Sequence, residues 1–318
     1  MPLVSKLIIS LLLFIPFSIQ LTYAGNEQDI EFKTLTIGVH TKKARKHIEF
    51  TKPLAQYLQS KLVHLGYRHA NVVVSSDLQE LGEWLTTGEV DLISETPFSA
   101  LELRDRYNGE FLLRRWKKGH ADYHSVIFVR KDSEINTLQD LKNKKLVLEN
   151  NSSTSGFYLP VHAILDQGLQ LEKLDSLSTS VSQDRIGFVH VDDVLKRANE
   201  ISLTMWVHRK KVDAAAFSNT NWNDVKDMPL HIQDEMKIIH STESYPRSIV
   251  VVRANLPNEV KDALKKELLH AHKSTRGISV LQNYQATTRF DNLPEDQEYN
   301  LEQVNYFKQQ IQAKWASH

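Results

Sequence analysis

The stretch Lys145-Leu146-Val147-Leu148-Glu149-Asn150-Asn151-Ser152-Ser153-Thr154-Ser155-Gly156-Phe157-Tyr158-Leu159-Pro160 decides how the rest of the chain is read. Its first four residues have the apolar character of a strand. A polar loop rich in hydroxyls follows, and then Phe157, Val161, Ile164 and Leu165 recur at helical spacing. Strand, loop and helix N-terminus in that order are the repeating unit of an α/β protein. The first turn of a helix carries N–H groups with no intrahelical partner and the positive end of the dipole, so hydroxyls placed there can surround an oxyanion. Gly156 admits a close approach of the backbone. The same five residues, Ser152 to Gly156, also satisfy an ordinary Ser/Thr cap, which is worth about 1 kcal/mol and binds nothing.

Working outward, residues 35–39 alternate like a strand and residues 48–65 repeat apolar side chains at helical spacing. Further strands are predicted at 72–74, 90–93 and 111–113, with helices over 78–85 and 98–107. Residues 123–130 form a long β-run without a turn that carries the chain out of this first series. A second series follows, with the strand at 145–148, a strand at 186–189, a helix over 194–206 and a strand at 212–217. Residues 174–184 are a polar loop. Residues 236–239 and 248–252 flank Tyr245-Pro246-Arg247 and read as a return crossing, and residues 256–272 and 301–315 are amphipathic helices. The alternation of strands and helices predicts largely parallel sheets with both faces covered. The expected architecture is α/β with two lobes, residues 25–124 with 246–318 and residues 125–245. Two hinge crossings join them, near 125–129 and 236–250, around a ligand cleft.

A length of 318 residues exceeds what one core usually serves, and 41% apolar with 25% charged residues is the composition of a globular protein. Basic and acidic side chains balance at 39 each, which removes the electrostatic footprint of a nucleic-acid binder. The absence of cysteine excludes thiol catalysis, disulfides, thiolate metal sites and a lipid-bearing N-terminal cysteine. Lys6, an apolar run over 7–21 and the small-residue site Thr22-Tyr23-Ala24 have the pattern of a cleavable export signal at residues 1–24. The run is short for a membrane span and is interrupted by Pro16, Ser18 and Gln20. The mature protein is therefore expected to be periplasmic, soluble and without a lipid anchor. No Gly-x-Ser-x-Gly, His-Glu-x-x-His or phosphate-binding lysine loop occurs, so nothing positive speaks for an enzyme, and no cofactor is implied.

Several motifs now add up. Gly38-Val39 before a basic loop, Asp77 before a short helix, Val90-Asp91-Leu92-Ile93 leading to Glu95-Thr96-Pro97-Phe98-Ser99-Ala100, Ser153-Thr154-Ser155-Gly156-Phe157 with Pro160, Val212-Asp213-Ala214-Ala215-Ala216, and Pro246-Arg247 before a strand stand in a characteristic order. Together they resemble the substrate-binding proteins of phosphate/phosphite/phosphonate ABC transporters, over nearly all of the mature chain. That resemblance implies a type 2 periplasmic binding protein fold closing on a small oxyanion, delivery to a membrane permease and a cytoplasmic ATPase.

The candidate ligand-binding residues are Ser153, Thr154, Ser155 and Gly156 in the hydroxyl loop, Glu95 and Thr96 after the strand at 90–93, Asn219 after the strand at 212–217, Glu200, and Arg247, whose guanidinium suits bidentate contact to an oxyanion. Family members that bind aminoethylphosphonate are expected to carry a tyrosine where Glu95 stands and a histidine at or beside Glu200. Their acidic residues for the ammonium fall near Thr220 and Ser248. These departures argue against an aminoalkylphosphonate ligand. A carboxylate beside a dianion must point away, pair with a cation such as Arg247 or Lys42, or accept a hydrogen bond from a protonated ligand oxygen. His120, Asp122 and His124 lie too far apart along a strand to chelate one ion, so a hinge or surface role is expected and no metal. The expected partners are a small anionic ligand and a permease, with the protein itself a monomer. A sensory subunit of a membrane kinase or chemoreceptor, or an enzyme on a phosphorylated or pyrimidine-like substrate, are the alternatives.

Overall fold

In the computed structural model the strand signals assemble into two six-stranded sheets joined by a two-stranded ribbon. The structure describes residues 32–316 except position 197, so the expected export signal lies outside the described residues. The chain begins with β1 (Lys33–His40), α1 (Ala44–Lys61), β2 (Tyr67–Ser75), α2 (Leu78–Thr87), β3 (Leu92–Glu95), α3 (Pro97–Arg106) and β4 (Gly109–Lys117). It crosses over at β5 (Asp122–Tyr123). The second sheet is built from β6 (Ser125–Arg130), β7 (Lys145–Leu148), α4 (Leu159–Asp166), β8 (Gln170–Lys173) and β9 (Arg185–His190). After α5 (Val191–Val194) and α6 (Glu200–His208) come β10 (Ala214–Ser218), the short helices α7 (Asn219–Trp222) and α8 (Leu230–Gln233), and β11 (Met236–Ser241). The return through β12 (Tyr245–Pro246) leads to β13 (Ile249–Arg253), α9 (Asn258–Ala271), α10 (Thr275–Asn283), β14 (Thr287–Asp291) and α11 (Glu295–Ala316).

The first sheet has the order β14-β4-β13-β3-β1-β2 and the second β11-β6-β10-β7-β9-β8. Both are mixed, not largely parallel as the alternation predicts. The cause is the double crossing: β13 re-enters the first sheet between β3 and β4 and runs antiparallel to both, while β6 enters the second antiparallel to β10 and β11. Residues 123–130 are not one run. The strand breaks at His124, and Tyr123 pairs with Tyr245 in the hinge ribbon, so the crossing lies upstream of Ser125 and the segment from Ser125 belongs to the second sheet. The helix expected over 194–206 is also broken. Asn199 and Ser202 form a reciprocal capping box that starts α6 at Glu200, one short stretch after α5 ends.

Strand alternation sets the cores. In β13, Val250 and Val252 pack with Leu35, Ile37, Leu54 and Leu264 on one side of the first sheet, and Ile249 and Val251 pack with Ile93 and Leu101 on the other. In β6, Val126 and Phe128 face Leu203, Trp206 and Phe217, while Ile127 and Val129 face the α4 side with Val161 and Ile164. Gly38 is needed in β1 because a Cβ there would come within 2.9 Å of Ile93 Cγ1. The last helix touches both sheets' helices. Lys308 pairs with Glu102 and Glu302 with Arg104 of α3, whereas Phe307 stacks on His162 of α4 at 3.4 Å.

Candidate ligand-binding site

The hydroxyl loop hangs from the end of β7. Ser153 Oγ accepts from Gly156 N at 3.0 Å and donates to the Glu149 carboxylate, so it caps the turn that follows. Thr154–Tyr158 is a π-helical turn that runs straight into α4 and buries the Thr154 and Ser155 side chains. Thr154 Oγ1 accepts from Phe98 N at 3.2 Å. That N–H is one of the unpaired donors at the start of α3, so a hydroxyl of the second lobe caps a helix of the first. Beneath this turn lies Tyr123, 2% exposed. Its hydroxyl lies against those of Thr154 and Ser155 yet makes no well-formed hydrogen bond, and burial pushes its pKa up to about 12. The Arg247 guanidinium stands 4.6 Å over the Tyr123 ring.

On the first lobe, a cavity of about 130 Å³ is lined by Ser94, Glu95, Thr96, Arg115, Lys117, Arg247 and Ser248, with His40, His47, Tyr284 and Gln285 at its edge. Arg115 is 2% exposed and is held only by neutral oxygens: Thr287 Oγ1 at 2.8 Å, the Tyr284 carbonyl at 3.0 Å and Ser94 Oγ at 3.4 Å. Its guanidinium lies 3.9 Å over the Tyr284 ring. Among the described residues, none of the ion pairs includes Arg115, Lys117 or Arg247. Burial pushes the Lys117 ammonium well below the usual lysine range, Arg247 and Arg115 push it the same way, and Glu95 opposes them. Burial raises the Glu95 carboxyl against the pull of His40 and Lys117. Two arginines and a lysine whose charge burial disfavours thus surround one carboxyl, an arrangement that an arriving anion would relieve.

The lobes meet around these features. Lys42 pairs with Asp192 at 3.2 Å and Lys118 with Asp224 at 2.8 Å, and the rings of Phe98 and Tyr158 stack at 3.9 Å. A wider hollow of about 590 Å³ at the mouth is lined by Lys42, Lys43, Glu149, Asp192, Lys196 and Glu200, among others. Burial, reinforced by Glu200 and opposed by the Ser153 hydrogen bond, pushes the Glu149 carboxyl up to about 7.

The model of the periplasmic substrate-binding protein of phosphonate ABC transporters matches residues 37–299. The chain belongs to this family. It is 26% identical over 284 residues to the phosphonates-binding periplasmic protein of Escherichia coli K12, covering 87% of this chain and 78% of that one. XAC2383 of Xanthomonas citri, whose structures hold chloride in one case and ATP in another, superimposes with a TM-score of 0.83 in the chloride form at 28% identity, covering 88% of this chain and 99% of that one. PhnD1 of Prochlorococcus marinus, in complex with methylphosphonate, shares the fold with a TM-score of 0.62 at 18% identity, over 86% and 97% of the two chains. The fold is that of a type 2 periplasmic binding protein, and the protein is a periplasmic substrate-binding component of an ABC transporter, not an enzyme.

Against that family frame, the residues named from sequence fall into distinct places. Ser153, Thr154, Ser155 and Gly156 share one turn, but Ser153 is committed to the cap. A Cβ at Gly156 would sit 2.4 Å from Glu149 Cδ, so the glycine makes room for that carboxylate. Glu95, Thr96 and Arg247 line the cationic cavity. Glu200 opens α6 at the mouth, beside Glu149. Asn219 Oδ1 accepts from His124 N at 3.2 Å, and its N–H donates to the His124 carbonyl, which ties it to the hinge. Arg115, Lys117 and Tyr123 were not legible as site residues. Their one signal is Arg115 and Lys117 two apart in Leu112-Leu113-Arg114-Arg115-Trp116-Lys117, since alternate residues of a strand share a face.

Proposed function

We propose that this protein is exported through a cleavable signal at residues 1–24, carries no lipid and, as a monomer, captures a small phosphorus oxyanion of the phosphonate, phosphite or phosphate class for an importer's permease. The observation that carries the ligand reading is the Tyr123 hydroxyl: buried, without a well-formed hydrogen bond, and set against Thr154 and Ser155 at the start of a helical turn, with Arg247 over its ring. A donor left unpaired inside a protein costs about 1–3 kcal/mol, which a bound oxyanion would recover. Two further facts support the class. The family is named for phosphonate, and XAC2383 holds ATP, a molecule that carries phosphorus oxyanions.

In this reading Thr154, Ser155 and Tyr123 donate to the oxyanion, Arg247 supplies charge, and the lobe of residues 25–124 with 246–318 closes on that of residues 125–245 about the β5–β12 ribbon. A thermal-shift screen of phosphite, phosphate, methylphosphonate, aminoethylphosphonate and sulfate tests it. A ligand present at about one hundred times its dissociation constant stabilises by roughly 2.7 kcal/mol, which is readily seen. A shift with one of the phosphorus anions is expected, and no shift with any of them would overturn the assignment.

A further inference from the structure

We infer that the ligand carries a second anionic group, such as a carboxylate, which the Arg115–Lys117–Arg247 cavity holds while the phosphorus oxyanion sits on Thr154, Ser155 and Tyr123. The inference rests on the ligand reading given above and narrows it. Arg247 belongs to both places, touching the Tyr123 ring and lining the cavity. One oxyanion on the hydroxyl turn therefore leaves Arg115 facing no carboxylate but Glu95, and leaves Lys117 in a setting where a second anion would restore its charge.

A neighbouring residue gives the contrast. Arg114, on the opposite face of β4, is held by Asp122 at 2.9 Å and Asp291 at 2.7 Å, which is how this protein anchors an arginine that serves the fold. Arg115 has only neutral acceptors, and among the described residues the Lys117 ammonium has no hydrogen bond or ion pair. The cavity is also of the right size. Its volume of about 130 Å³ equals roughly four waters at about 30 Å³ each, enough for a carboxylate or a similar small acidic group. Ser94 and Ser248, whose hydroxyls bond each other at 2.9 Å while Ser248 also reaches the Glu95 carbonyl at 3.2 Å, form a neutral polar wall beside the cations. An ammonium in this position would meet like charge, so an aminoalkylphosphonate is disfavoured by the same geometry.

Isothermal titration of the exported protein with methylphosphonate, phosphonoacetate and aminoethylphosphonate decides the matter. Phosphonoacetate is expected to bind about 30-fold or more tightly than methylphosphonate, the effect of one well-placed buried charge pair. Lys117→Gln is expected to cut that ratio to about threefold or less. If methylphosphonate binds as tightly as phosphonoacetate, the second-anion inference fails while the oxyanion reading stands. If no phosphorus anion binds the wild type, both fail. If Lys117→Gln weakens both ligands equally, the cavity holds the phosphorus group itself and the inference is overturned. Should that variant not fold, Glu95→Gln serves instead: removing the one carboxylate is expected to widen the ratio, and an unchanged or smaller ratio overturns the inference.

Discussion

The second lobe lines the cleft with hydroxyls that the protein itself largely satisfies, whereas the first lobe lines it with basic side chains that have no ion-pair partner among the described residues. Ser153 bonds Gly156 and Glu149, and Thr154 bonds Phe98 across the cleft, so the hydroxyl wall is stable as it stands. Arg115 and Lys117 stand without an ion-pair partner among the described residues, a cost that a bound anion would offset. Geometry and charge are thus divided between the lobes. In the proposed reading, hydroxyls at a helical turn orient a tetrahedral group and the cations supply most of the attraction. Closure as proposed would bring the two together and tie affinity to the hinge.

Arg247 is the place to break this division, because it belongs to both walls. Arg247→Ala is expected to weaken the ligand by about 2–5 kcal/mol, the cost of removing one partner of a buried charged contact. Its effect on the ligand-free protein is expected to be small, since only a cation–π contact of roughly 0.5–1 kcal/mol is lost. Titration calorimetry beside thermal melting separates the two quantities. A loss of affinity below about 1 kcal/mol would place recognition elsewhere.

How much of this was legible beforehand differs between the walls for a physical reason. The hydroxyl turn is contiguous in sequence, and a local strand–loop–helix pattern announces it. The cationic wall is assembled from β3, β4 and the return crossing, so it exists only once β13 has been threaded between β3 and β4. Arg114 and Arg115 are chemically identical in sequence. Only the register of β4 shows that one meets Asp122 and Asp291 and the other meets neutral oxygens. The mixed sheets escaped notice for the same reason, since strand direction after a crossing is a property of the whole topology. Arg247, by contrast, was visible because Pro246 marks the crossing.

A second experiment asks how free of charge the hydroxyl wall is. Glu149 lies behind it, and burial with Glu200 and Asp192 nearby raises its carboxyl from an ordinary 4.5 to about 7. An acid whose folded pKa is raised is held neutral by the fold. Its contribution is fully present below the unfolded value and is lost as pH rises through the folded one. The ligand-free protein is therefore expected to lose up to roughly 3 kcal/mol between about pH 4.5 and pH 8, over and above other groups. Glu149→Gln should flatten this part of the profile, as read by melting temperature against pH. Parallel profiles for wild type and variant would show that Glu149 ionises freely and that the wall already tolerates a negative charge.

The finest distinction lies within the hydroxyl turn, between two adjacent side chains of similar chemistry. Ser153 acts inside its own lobe as a cap, so Ser153→Ala is expected to cost about 1 kcal/mol of stability and to change affinity little. Thr154 reaches across the cleft, where Phe98 N already uses one lone pair and the hydroxyl proton remains for a ligand oxygen. Thr154→Val keeps the shape and removes both functions. It is expected to weaken the oxyanion by about 1.5–3 kcal/mol, the range for a hydrogen bond to a charged group. Part of that loss reflects closure, because the α3 donor is then left unpaired in the closed form but meets water in the open one. Small-angle scattering of the ligand-bound variant reads this directly: a larger radius of gyration than wild type at saturation assigns Thr154 to closing the lobes, while an identical radius with the same affinity loss assigns it to the ligand alone. If Ser153→Ala and Thr154→Val instead lower stability and affinity in equal measure, both residues are caps, and the oxyanion is recognised by Tyr123, Arg247 and the cationic wall without them.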